Sequence, residues 1–260
     1  MSQAAFVLAV RLRLVATSLT ALGMVAVTLM VGALFPAVGD SIGKLDLPAG
    51  VTQLLGGADY GSLAGWMRSE IGAVYGPLVI AATAIMGAVG LTAGEEEDGI
   101  LGLTLAHPIR RSRLIGAKAA AVAVNVAFVA LATFVGLVAG VAIGGGGVAA
   151  GNLGALALHL AAYGWAIGAL ALAVAAATGR KAVASGAAAA FAVITFLING
   201  FAPLVGAIAW LKYVSPFYYY AGHDPIGHGV DVGDLAVLAA AAAALTAIAA
   251  VQIGRRDLRA

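Results

Sequence analysis

Two groups of polar residues interrupt a chain otherwise built largely from Ala, Val, Leu, Ile and Gly. The first reads HDPIGHGVDVGD and gathers His223, Asp224, His228, Asp231 and Asp234. Imidazole and carboxylate are the ligand types of zinc and copper sites, so a metal site is one reading of this stretch. It has no firm ligand spacing such as H-E-x-x-H. A polar turn ahead of a helix, with Asp234 near that helix's N-terminus, accounts for the same residues. The second group reads GEEEDGILGLTLAHPIRRSRLIGAK, residues 94–118, with four acids, a short apolar run and a knot of bases. Both signs of charge close together suit a docking surface, where they give specificity.

Other chemistry is excluded more directly. A phosphate-cradling loop reads G-x-x-x-x-G-K-S/T. The nearest candidate is Gly39 to Lys44, where the first glycine is one position off and Leu45 replaces the hydroxyl residue. The chain is therefore expected to be no ATPase, no enzyme and to hold no cofactor of its own. Cysteine is absent, which removes disulfide and thiol chemistry. A net charge of +2, with Lys and Arg striped along no single face, gives no footprint for nucleic acid.

The elements that position these groups follow from composition. Hydrophobic residues make up 62% of the chain and charged residues 10%, with a mean hydropathy of +1.03. A soluble surface needs about 25% charged residues, so much of this surface faces lipid. Stretches of about 20 uncharged apolar residues occur at 14–39, 71–94, twice within 119–179, at 182–211 and at 235–254. Pro36 and Gly39 are read as the end of the first, and Gly144 to Gly147 as the break inside the third. Asn199, Gly200 and Pro203 predict that the fifth helix ends near Asn199, with a shorter re-entrant piece after it. The expected fold is all-α, a single polytopic domain of six transmembrane helices.

Orientation follows the distribution of Lys and Arg. With the N-terminus inside, Arg11, Arg13, Arg110, Arg111, Arg113, Lys118, Arg180, Lys181, Arg255, Arg256 and Arg259 fall inside, and only Lys44, Arg68 and Lys212 outside. Both termini are thus expected to be cytoplasmic. Residues 1–13 read as an amphipathic lead-in along the inner leaflet rather than a cleaved signal. Residues 37–70, with Asp40, Asp46, Asp59 and Glu70, read as an external cap. Residues 212–234 read as an external loop whose Tyr213, Phe217, Tyr218, Tyr219 and Tyr220 suit the membrane boundary.

The six expected spans contain no Asp, Glu, Lys or Arg. Ion-driven transport, which binds its coupling ion at membrane depth, is disfavoured. His159 reads as a neutral side chain satisfied by a carbonyl or headgroup. Asn125, Thr133, Thr195 and Asn199 read as interhelical glue.

Residues 94–118 then join the second and third spans on the inside. The apolar run 100–106 is too short to cross. It is preceded by Glu95, Glu96, Glu97 and Asp98, charges favoured at a helix N-terminus, and followed by Pro108, a helix stop. The spacing predicts a short helix with Leu101, Leu103 and Leu105 facing lipid or a protein groove. The bases Arg110, Arg111, Arg113 and Lys118 serve orientation, anionic membrane lipid or a partner.

This segment resembles the cytoplasmic signature of the type-2 ABC transporter permease family. That signature has a Glu-rich start, a Gly-x-Leu run, a Pro, then an Arg-containing stretch ending in Gly-x-Lys. Residues 109–113, IRRSR, depart mildly from the family's usual sequence after the proline. A second match is Ser215-Pro216-Phe217-Tyr218-Tyr219-Tyr220, followed by a polar turn, a last helix and Arg255-Arg256-Asp257-Leu258. The resemblance covers essentially the whole chain. It implies the membrane subunit of an exporter, paired with a second copy or a sister permease and docked on a separate ATPase that holds ATP and magnesium. It implies that Glu95, Glu96, Glu97, Gly99 and Leu103 shape the contact with that ATPase through a coupling helix, and that Arg110, Arg111 and Arg113 anchor its far end.

Two alternatives stay open: a non-transporting membrane scaffold, and a permease serving maturation of a periplasmic metalloenzyme, in which His223 and His228 would matter. The apolar composition of spans two and five favours a hydrophobic cargo.

Overall fold

The computed structural model describes residues 2–42, 48–55, 59–105 and 109–256. Lys44, Leu45, Asp46, Leu47, Pro108, Asp257, Leu258 and Arg259 lie outside the described residues, as do the side chains of Asp40, Leu103 and Leu105. In chain order the helices are α1 (Ser2–Ile42), α2 (Ala49–Leu54), α3 (Leu63–Glu97), α4 (Ile100–Leu105), α5 (Arg111–Ile143), α6 (Ala150–Thr178), α7 (Lys181–Phe201), α8 (Pro216–Ala221), α9 (Pro225–His228) and α10 (Val232–Arg255). No strand occurs among the described residues. Six of the helices, α1, α3, α5, α6, α7 and α10, are long and apolar enough to cross a membrane.

The central helix is α6, touched by α3, α5, α7, α8, α9 and α10. Its sequence explains the position: Ala and Gly at most inward sites let backbones approach closely, which is how helices associate without a hydrophobic drive between them. At Gly164 a Cβ would stand 2.3 Å from Ile80 and 2.7 Å from Val126, so α3 and α5 both close on that glycine.

The contact between α1 and α5 works the same way. Gly136 and Gly140 on α5, and Gly144 just past its end, recur every fourth residue and face Thr28 and Gly32 of α1. A Cβ on Gly32 would lie 2.1 Å from the Gly140 carbonyl oxygen, and one on Gly140 would lie 2.5 Å from that of Thr28.

Two expectations for α1 are corrected. The helix spans 41 residues without a break, so residues 2–13 continue the axis of the first span and form no separate lead-in. Pro36 lies inside the helix and does not end it. Proline removes a single backbone hydrogen bond, a loss that membrane helices tolerate where neighbours cover the freed carbonyl.

The third helix also exceeds the expected span. It begins at Leu63, with Ser62 accepting the Gly65 N–H as its cap, and it contains two widened π turns, Arg68–Tyr75 and Gly90–Gly94. Pro77 follows the first, and the wide turn absorbs the missing donor. Past Ile143, Gly145, Gly146 and Gly147 all take positive φ and turn the chain into α6. After Phe201 the chain continues as 3₁₀ turns, Ala202–Leu204 and Gly206–Val214, before α8.

Candidate functional site

Because α3 runs through its second π turn, Glu95, Glu96 and Glu97 form the C-terminus of a spanning helix and not the start of α4. Negative charge is unfavourable there, so each acid needs a cation or a donor. Each has one. Glu95 Oε2 lies 2.7 Å from Lys118 Nζ, with Lys118 buried and Glu95 partly so. Glu96, whose side chain is 2% exposed, takes both arms of the Arg256 guanidinium, with Nη1 2.8 Å from Oε1. Arg256 Nε donates to the Ala176 carbonyl at 3.1 Å, covering the end of α6. Gly179 lies beside this pair with φ +61°; a Cβ there would stand 2.3 Å from Arg256 Nη1.

The rim continues the pattern. Glu97 Oε1 accepts the Lys181 N–H at 2.8 Å, serving as a cap for α7 from another helix. Asp98 pairs with Lys181 Nζ at 3.1 Å. Arg111 Nη1 donates to the carbonyls of Ile253 (3.1 Å) and Arg256 (3.0 Å), at the end of α10. Ends of α3, α5, α6, α7 and α10 are therefore tied into one ionic clasp.

This rearranges the residues singled out from the sequence. Glu95 and Glu96 point into the bundle. Gly99 turns the chain at φ +72°, a conformation that favours glycine, and α4 follows. Leu101 is 1% exposed and packs into the core, whereas Ile100 and Gly102 are exposed. Arg110 and Arg113 are exposed, and Arg111 is spent on α10. Among the described residues the exposed ones of this segment are Glu97, Asp98, Gly99, Ile100, Gly102, Arg110, Ser112, Arg113 and Gly116. Sequence reasoning set the acids at the N-terminus of α4 because negative charge is favoured there; the π turn carries α3 through Gly94 to Glu97 instead.

At the opposite end, neutral groups do most of the fastening. Tyr220 donates to the Gly72 carbonyl in the first π turn at 2.6 Å, and burial beside Tyr163 pushes its phenol well above the ordinary range. Ser215 donates to the Thr195 carbonyl at 2.8 Å, and the Trp66 indole donates to that of Val31 at 2.9 Å. Rings of Phe217, Tyr220, Tyr163 and Phe196 stack with centroids 5.1–6.1 Å apart.

Of the five candidate metal ligands, three come together: His223, Asp231 and Asp234 hold ligand atoms within 4.8 Å of one another. Asp224 instead pairs with Arg68, and His228 is exposed. Asp231 Oδ1 accepts the Asp234 N–H at 2.9 Å, and His223 Nδ1 lies 2.6 Å from Asp234 Oδ2. The first is the bond of an N-cap, and that Asp234 N–H holds the Asp231 carboxyl below its usual range; the second is a contact between side chains. His159 is buried with Nδ1 2.9 Å from the Ala155 carbonyl, one turn back on its own helix.

Two lateral cavities open between the spans. One, of about 180 Å³, lies between α3 and α7 and is lined by apolar groups such as Val74, Leu78, Val193 and Phe196. The other, of about 300 Å³, lies between α1, α3 and α5. Leu78 borders both. Six apolar helices around a small-residue core define a multi-pass membrane protein. The family described as "Multidrug efflux system permease Rv1217c, C-terminal domain" matches residues 3–253, and the chain belongs to it. A search of curated proteins found no match.

Proposed function

We propose that this permease is the membrane subunit of an ATP-driven ABC exporter, with α4 as the coupling helix that docks a separate ATPase. The observation that carries this reading is α4 itself, a short helix turned out by Gly99 and standing on the ionic clasp. A push on α4 passes through Asp98 and Glu97 to α7, and through Glu96 to α6 and α10, so a small displacement reaches several spans at once. On this reading the clasp and both termini face the cytoplasm, and ATP and magnesium belong to the partner. A second six-span unit, from the same or another polypeptide, completes the path. The family description's C-terminal domain accords with such a pairing. Cargo is apolar and varied in shape, as the family description and the α3–α7 cavity suggest.

The test is co-purification with an ABC-type ATPase encoded alongside the permease. Ile100→Asp is expected to abolish ATPase capture while leaving detergent stability unchanged, since Ile100 is exposed. Capture at the level of the unmodified permease would overturn the docking role of α4.

A further inference from the structure

The larger cavity, between α1, α3 and α5, differs from the α3–α7 cavity in the polar groups on its wall. Its volume of about 300 Å³ falls at the lower edge of small-molecule pockets. Thr17, Thr20, Thr83, Asn125 and Arg13 interrupt an apolar surface that includes Met86. Two of these groups are donors with no acceptor among the described residues. Asn125 is 6% exposed, and its Nδ2 has no hydrogen-bond partner. Arg13, whose guanidinium lies against the Cα of Gly90, forms no ion pair among the described residues; Glu95, the acid that acts on it, is spent on Lys118. The Thr20 and Thr83 hydroxyls donate to the carbonyls of Ala16 and Val79, so they need no acceptor from a ligand.

Such a wall selects its occupant. A buried amide donor is costly to leave unpaired, and an acceptor on a ligand removes that cost. A guanidinium at one end of an apolar cavity favours a carboxylate or phosphate. No carboxylate lines the cavity, so a cation gains nothing there.

We propose that this cavity binds an anionic amphiphile, its acidic head on Arg13, an acceptor oxygen near Asn125 and its apolar body along Met86 and the rest of α3. The source is either a bilayer lipid or exported cargo, which share this chemistry. Only the cargo case depends on the exporter reading above.

The experiment uses the whole chain in phosphatidylcholine nanodiscs, titrated with cis-parinaric acid and separately with its methyl ester, read by fluorescence. The acid is expected to bind about tenfold more tightly than the ester, the worth of one charge-assisted contact. Arg13→Gln is expected to erase that preference, Arg13→Lys to keep part of it, and Asn125→Leu to weaken both ligands. Equal affinity of the unmodified protein for acid and ester overturns the proposal without need of any variant. Arg13→Gln binding the acid with unchanged preference also overturns it. Loss of acid binding on adding phosphatidylglycerol to the discs assigns the cavity to lipid, and persistence assigns it to cargo. Failure of ATPase capture with acid binding intact would sink the exporter reading and leave this site standing.

Discussion

At one end of the bundle Glu95, Glu96, Glu97 and Asp98 hold Lys118, Arg256 and Lys181, so that four helix ends meet in ion pairs and a fifth, that of α6, is held by the Arg256 hydrogen bond to Ala176. At the other end Trp66, Ser215 and Tyr220 reach main-chain carbonyls of distant segments, beside a stack of aromatic rings. The difference lies in how each end fails. A buried ion pair resists separation strongly because each half is left as an uncompensated charge. Apart from the Arg68–Asp224 and His223–Asp234 contacts, the bonds named at that end are neutral, worth about 0.6 kcal/mol each on average between membrane helices, so they can rearrange one at a time. Irregular backbone occurs at both ends, the first π turn and the 3₁₀ segments with the neutral contacts and the second π turn beside the ion pairs, so it is the ion pairs that make the firmer base for α4.

The largest effect expected is at Glu96. Glu96→Ala should cost about 3–5 kcal/mol in unfolding free energy measured in mixed micelles, because Arg256 loses its buried partner. Replacing both residues with Met should recover much of that loss. If the single change costs no more than a neutral bond at the other end, the contrast between the ends is broken.

Gly140→Val tests the span between them. Its side chain would meet the Thr28 carbonyl at closer than van der Waals distance, for a cost of about 1–3 kcal/mol. Cross-linking yield between cysteines placed on α1 and α5 should fall with it. Tyr220→Phe removes one hydrogen bond and should cost about 1 kcal/mol by the same unfolding assay.

The smallest effect is set by pH. Asp231 has a folded pKa held below its unfolded value of about 4, so its capping contribution is complete above that pH. It is lost as pH falls through the depressed value. Asp231→Asn keeps the cap and should flatten the acid limb of a thermal-stability profile; an unchanged limb would assign that limb to other carboxyls.

The membrane class and the six spans were legible because each rests on about 20 consecutive residues, a local property that no distant contact can reverse. The break at Gly144 to Gly147 was legible for the same reason. The glycine repeat at 136, 140 and 144 was visible in the chain but passed unread, although a small residue every fourth position is the signal of a close helix contact. The unpartnered amide of Asn125 had no such signal: it was read as glue, and only the arrangement of three helices shows what it fails to reach.

The acids mark the boundary between the two kinds of information. Their presence and number, and the apolar run after them, come from residues 94–106 alone. Where they point depends on Arg256 and Lys118, 160 and 23 residues away along the chain, and on a π turn that carries α3 through Gly94. A local pattern sets which segments enter lipid, since burial there is decided segment by segment. The pairing of charges is decided only when the helix ends converge, because an ion pair exists only at contact distance and contact is a property of the fold.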